Sequence, residues 1–168
     1  MKLFKKIAGF ILAFAMILAI AMPSVVMADE TYSLTLNNTV VDHTYEVYQI
    51  FTGKLSTKDN KKVLSDLVWG SGVKADAYPG ISAKDKASTL TEANAKDFAK
   101  ELVDGKKLSN TKKTKQSAAG FTIIGGLEAG YYLVKDTDDS LAGKHDSYTA
   151  YILQVVGNAT VKVKSDFP

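Results

Sequence analysis

The chain has no cysteine. It can therefore form no disulfide, carry no thiolate metal site and bear no lipid on an N-terminal cysteine. Stability outside a cell would have to come from core packing or another kind of crosslink. Arginine is also absent, so every basic residue is lysine. Arginine is the usual choice for forked recognition of phosphates and base edges. Histidine is limited to His43 and His145. With no cysteine and so little imidazole, nucleophile–base catalysis has few candidates. Ser71 lies between glycines in Trp69–Val73 but lacks the flanks of a nucleophile elbow. The chain is read as a non-enzyme, and no cofactor is expected.

The longest apolar run is at the start. Met1–Lys6 is basic through Lys2, Lys5 and Lys6, Ile7–Met22 holds no charge, and Pro23 precedes Ser24-Val25-Val26-Met27-Ala28. That order is a secretory signal peptide, residues 1–28, cleaved after Ala28. The apolar run is short for a spanning helix, which needs about 20 residues. Contact with a membrane is expected only during export. After Ala28, 140 of the 168 residues remain, and the loss of three lysines leaves 18 basic residues against 18 acidic ones. With a mature charge near zero and no arginine, nucleic acid is not expected as a partner.

The remainder reads as strands around one helix. Thr31–Asn37 alternates Tyr32, Leu34 and Leu36 with polar residues, as a half-buried strand does, and Asn37-Asn38 reads as a turn. Tyr45–Thr52 is aromatic and β-branched, a strand buried on much of both faces that ends at Gly53. Lys54–Lys62 reads as a loop turning at Asp59-Asn60. In Val63–Trp69, Leu64, Leu67 and Val68 have helical spacing, and Gly70-Ser71-Gly72 closes the segment. Thr89–Asp104 is an amphipathic helix through Ala95, Phe98, Ala99, Leu102 and Val103, capped by Ser88, Thr89 or Thr91 and stopped at Gly105. Lys106–Gln116 is a lysine-rich loop, Gly120–Ile124 a strand, Gly125-Gly126 a turn and Tyr131–Lys135 a strand. Tyr148–Val156 runs to a turn at Gly157-Asn158. The last strand puts Ala159, Val161 and Val163 on one face and Thr160, Lys162 and Lys164 on the other. This pattern predicts a mainly β chain, a β-sandwich with a helical insertion at about residues 89–104. Asp136, Asp138 and Asp139 could hold calcium, but without the glycine and distant glutamate of an EF-hand they read as a polar turn, and no metal is expected.

Four segments carry a resemblance: Thr44–Gly53 (TYEVYQIFTG), Val68–Val73 (VWGSGV), Gly130–Thr137 (GYYLVKDT) and Leu153–Asp166 (LQVVGNATVKVKSD). In this order they resemble the N-terminal domain of backbone (major) pilins from Gram-positive sortase-assembled pili, the isopeptide-forming fimbrial proteins. The resemblance implies an Ig-like, CnaB-like sandwich over residues 29–164, with residues 165–168 starting a linker to a further domain. It implies secretion to the cell surface, as a structural subunit in a pilus attached to the cell wall. The partners implied are other pilin subunits and a class C sortase. The sortase holds one pilin as a thioester, and a lysine amine of the next attacks it, giving an inter-subunit amide. The matching lysine is Lys164, with Lys162 as rival, although Val163 stands where the family commonly has proline. The ordinary reading of both is edge-strand lysines that discourage edge pairing. The family's internal Lys–Asn amide is not expected: Thr31–Asn37 has no lysine, and Lys135 stands where the assisting acid belongs. The alternatives are an accessory pilin or adhesin domain that binds a host or surface ligand, and a secreted enzyme, which would need clustered acids.

Overall fold

The computed structural model describes residues 31–137 and 150–162, with the side chains of Asn38 and Lys162 outside the description. The expected signal peptide (residues 1–28) and the expected linker (165–168), together with His145, Asp138, Asp139 and Lys164, lie outside the described residues. The elements in chain order are β1 (Tyr32–Thr39), β2 (Thr44–Lys58), β3 (Lys61–Trp69), α1 (Ala83–Ser88), α2 (Ala95–Asp104), β4 (Lys113–Gln116), β5 (Gly120–Leu127), β6 (Gly130–Asp136), β7 (Ala150–Val155) and β8 (Ala159–Lys162). They form a small sheet in the order β5-β1-β8 and a larger one in the order β3-β2-β6-β7, to which β4 adds by pairing with β2. The fold is mainly β, as expected.

The strands β6 and β7 and the first half of β2 in the larger sheet are buried on both faces, and this organises the molecule. One face packs on the small sheet: Tyr45, Val47, Tyr132, Val134, Tyr151, Leu153 and Val155 share a core with Leu34, Leu36, Ile124 and Val161. The other face packs on the helices: Tyr48, Ile50, Phe51, Leu133 and Ile152 share a second core with Ala83, Phe98, Ala99 and Leu102. The helical insertion is thus a third layer. A strand covered on both sides must be apolar at consecutive positions, which is why β2, β6 and β7 do not alternate. In β2 a register shift between Gln49 and Phe51 turns Phe51 to the helix side beside Ile50. A bulge does this because an extra residue on one strand inverts the side-chain alternation beyond it.

Several sequence expectations are corrected. Lys54–Lys62 is strand: β2 and β3 pair from Phe51↔Trp69 to Lys58↔Lys61. The turn is at Asp59-Asn60 as read, and both residues have positive φ, 53° and 67°, the geometry of a two-residue hairpin turn. Val63–Trp69 is β3, not helix. Its few apolar residues fit either period, and the open edge of β2 decides between them. Lys113–Gln116 is β4, although all four residues are exposed. It is strand only because it pairs with Thr44–Val47. Asn37-Asn38 and Gly125-Gly126 are not turns but lie inside β1 and β5. The helix begins at Ala95, after a separate short helix α1. Of the three expected caps, Thr91 is used one turn early: its hydroxyl accepts from Asn94 N, while Asn94 Oδ1 accepts from Thr91 N at 2.7 Å.

The segment Gly70-Ser71-Gly72 fills the gap that β3 and β4 leave on the edge of β2. Gly70 N donates to Ile50 O and Gly72 N to Gln49 O, each at 2.8 Å. A Cβ on Gly72 would lie 2.7 Å from both Gln49 N and Gln49 O, so only glycine allows this approach. Beside it, Trp69 stacks on Phe51 and on Tyr78, with ring centroids 5.1 and 4.8 Å apart. The hydroxyl of Tyr78 donates to Glu101 of α2 at 2.7 Å. This aromatic stack ties the helical layer to the sheet.

Candidate functional site

β8 runs parallel to β1 and, among the described residues, pairs with nothing else, so it stands at the edge of the small sheet as described. Ala159 and Val161 point into the core beside Leu34 and Leu36, and Thr160 is exposed, so the expected alternation holds through the described side chains. The backbone of Lys162 is opposite Asn37. At the start of β8, Asn158 Oδ1 accepts a hydrogen bond from Ser33 N at 2.9 Å, with Ser33 Oγ at 3.4 Å. The side chain of β1 facing Asn158 is therefore a hydroxyl, not an amine. The chain leaves β8 at the end of the sheet where β1 finishes.

The second cluster joins β2 to β6. Glu46 and Lys135 are register partners. Lys135 Nζ lies 3.4 Å from Glu46 Oε1, with side-chain exposures of only 9% and 15%. The same amine donates to the carbonyl of Asp136 at 2.9 Å, and Tyr48 OH donates to Glu46 Oε1 at 2.8 Å. Next to it, His43 Nδ1 is 2.8 Å from Asp136 Oδ1, and the His43 ring stacks on Tyr45. Asp136, considered above as a calcium ligand, is instead buried against His43. Among the described residues no three His, Asp or Glu side chains come together to hold a metal. Sequence reasoning noted Lys135 only as a departure from the family pattern. Its partner could be found only from the β2–β6 register, which places Glu46 across from it.

A buried ion pair that loses one partner strands the other charge. Lys135→Met is therefore expected to destabilise the domain by about 3 kcal/mol, the lower end of the usual range because Tyr48 still donates to Glu46. Adding Glu46→Leu should recover most of the loss, which urea unfolding of the two variants and the parent would measure. Equal stability of parent and Lys135→Met would show that the pair is solvated.

Burial also sets the tyrosines. It pushes the Tyr132 hydroxyl up from 10.0 to about 12, against the lowering effect of a hydrogen bond from Gln49. Burial likewise raises Tyr131, Tyr151 and Tyr78, the last also through its hydrogen bond to Glu101. A raised folded value means that the folded state keeps protons that the unfolded chain releases. The stability contributed by Tyr132 is complete below pH 10 and is lost as pH rises toward 12. Tyrosinate absorbance followed against pH, with circular dichroism in parallel, should show these tyrosines ionising only as the chain unfolds.

The fold has been compared with known proteins. No protein-family profile matches the chain, and no curated protein matches it. Among solved structures, the T6 backbone pilin of serotype M6 Streptococcus pyogenes matches with a TM-score of 0.49 and 15% identity, over 84% of this chain and 29% of that one. The full-length major pilin SpaD from Corynebacterium diphtheriae matches with a TM-score of 0.36 and 13% identity, over 84% of this chain and 31% of that one. The chain is similar to backbone pilins. It spans less than a third of the length of either pilin. Among the described residues, no helix is long and apolar enough to cross a membrane.

Proposed function

We propose that this chain is the N-terminal structural domain of a covalently polymerised surface pilus on a Gram-positive bacterium, and that Lys164 accepts the inter-subunit amide. One observation carries the reading. The four segments that resemble backbone pilins, far apart in sequence, are neighbours in space. TYEVYQIFTG is β2, VWGSGV begins at the end of β3 and crosses the edge of β2 at Gln49, GYYLVKDT is β6 beside it, and LQVVGNATVKVKSD begins in β7 and passes through β8. Together they supply the central strands of the double-faced sheet and the strand β8, which Lys164 follows in sequence. A class C sortase would supply the thioester. The Lys164 amine, once deprotonated, attacks the thioester carbonyl; the new amide forms, and the sortase thiolate leaves. The test is peptide mapping of the polymer from sortase-competent cells. A branched peptide at Lys164 supports the assignment, a branch at Lys162 transfers it to the rival, and a chain never found in covalent polymer removes the pilus reading.

A further inference from the structure

Among the described residues β5 pairs only with β1, so its other edge is open. Gly120–Leu127 (GFTIIGGL) holds no charge and no proline. From Asn37↔Phe121 to Leu34↔Ile124 the register with β1 is unbroken, which leaves a regular edge over these residues. Thr122, Ile124 and Leu127 point inward and are buried, whereas Phe121 (53% exposed) and Ile123 (45%) stand on the outward face. The inward side of this edge is basic. Lys113 and Lys115 of β4 are register partners of Val47 and Tyr45, whose side chains face the small sheet. Opposite residues of an antiparallel pair share a face, so both lysines project from β4 on that side. Lys113 Nζ reaches β5 itself: a Cβ on Gly126 would lie 3.2 Å from it. Both lysines are exposed, and the ion pairs of the described residues use neither. Between Gly105 and Leu127 the chain has five lysines and no acid, so the field along this edge is positive although the whole chain holds 18 acidic residues.

We infer that the open edge of β5 is a docking site for an extended segment of another protein in which acidic and apolar residues alternate. Added as a strand, such a segment pairs its backbone with Phe121–Ile124. Its side chains then alternate between two surfaces. One set falls beside Phe121 and Ile123, where exposed apolar area favours apolar residues. The other set falls toward Lys113 and Lys115, where the charge favours carboxylates. Charge also selects this occupant over a second copy. Bringing β5 against β5 would bring two rows of lysines together, and lysines at an edge act against such pairing. A lipid surface would meet the same lysines and apolar side chains, but hydrocarbon would leave the amides and carbonyls of the edge unpaired. The site is built from β4 and β5, apart from β8 and Lys164, so it stands whether or not the pilus reading holds.

The test uses the secreted protein from Asp29 to Pro168 and a capped, fluorescein-labelled peptide, Thr-Glu-Val-Glu-Val-Glu. Saturable binding is expected, with amide shift changes centred on Gly120–Ile124 and Lys113–Gln116 and nuclear Overhauser contacts from the peptide backbone to Phe121–Ile123. The peptide Thr-Lys-Val-Lys-Val-Lys should not bind. Lys113→Glu combined with Lys115→Glu should weaken the acidic peptide about tenfold and admit the basic one. Both side chains are exposed, so the doubly substituted protein should keep the parent circular dichroism. Absence of saturable binding, equal binding of the two peptides, or shift changes elsewhere in the domain would each overturn the proposal. So would recruitment to phosphatidylserine–phosphatidylcholine vesicles without peptide binding, which would assign the edge to a lipid surface. Shift changes in β5 that grow with protein concentration in the absence of peptide would assign it to a second copy and overturn the proposal as well. Failure of the polymer-mapping experiment leaves these outcomes unchanged, so the two proposals fail separately.

Discussion

In cells that contain the matching sortase, Lys164→Arg is expected to abolish the high-mass covalent ladder, while Lys162→Arg leaves it intact. The reason is chemical. Thioester aminolysis needs a neutral amine, and lysine can lose its proton where arginine, with a pKa above 12, does not. Arginine keeps the positive charge and the length, so the substitution removes nucleophilicity and little else. Among the described residues, β8 contributes Ala159 and Val161 to the core. Secretion and folding of both variants should therefore match the parent, and immunoblots of cell-wall extracts would read the ladder directly. An intact ladder with Lys164→Arg would exclude that residue. Loss of the ladder with Lys162→Arg alone would reverse the assignment.

Phe51→Ala is expected to cost about 3–5 kcal/mol, the range for removing a buried phenylalanine ring. Phe51 is 1% exposed and lies where the layers meet. Its ring stacks on Trp69 and Phe98 with centroids 5.1 and 6.0 Å away, and meets the edge of Tyr131 at 5.9 Å. Truncation opens a cavity between β2, β3, β6 and α2 that close-packed neighbours fill only in part. For a domain of this size the loss corresponds to a fall in Tm of roughly 10 °C. The control is Val68→Ala, a change at a 55% exposed apolar residue, which should stay within about 0.5 kcal/mol. A Phe51→Ala loss as small as the control would mean that the helical layer is not packed on the sheet as described.

How much was legible beforehand depended on whether a signal was local. The strands read at Thr31–Asn37, Tyr131–Lys135 and Tyr148–Val156 overlap β1, β6 and β7, and they were readable because their residues match a pleated, buried surface. The helix read at Thr89–Asp104 was found from Ala95 onward because Ala95, Phe98, Ala99 and Leu102 repeat at helical spacing. The Asp59-Asn60 turn was readable because those residues accept positive φ. By contrast, Lys113–Gln116 has no local strand signal, and the pairing with β2 alone makes it one. Val63–Trp69 fitted two periods, and the same neighbour decided it.

The candidate site divides in the same way. The two lysines of the last strand were visible in the alternation of Ala159–Lys164. The ion pair of Lys135 with Glu46 was not, because 89 residues separate the partners.

Composition alone excluded disulfides and thiolate chemistry. The patterning by itself determined that the chain is mainly β, with one amphipathic helix and a final strand carrying lysines. Tertiary structure alone decided that the helices form a third layer and that β8 runs parallel to β1. The physical reason is that side-chain periodicity records which face of an element is buried, whereas register and layer order arise from pairing between segments far apart in sequence.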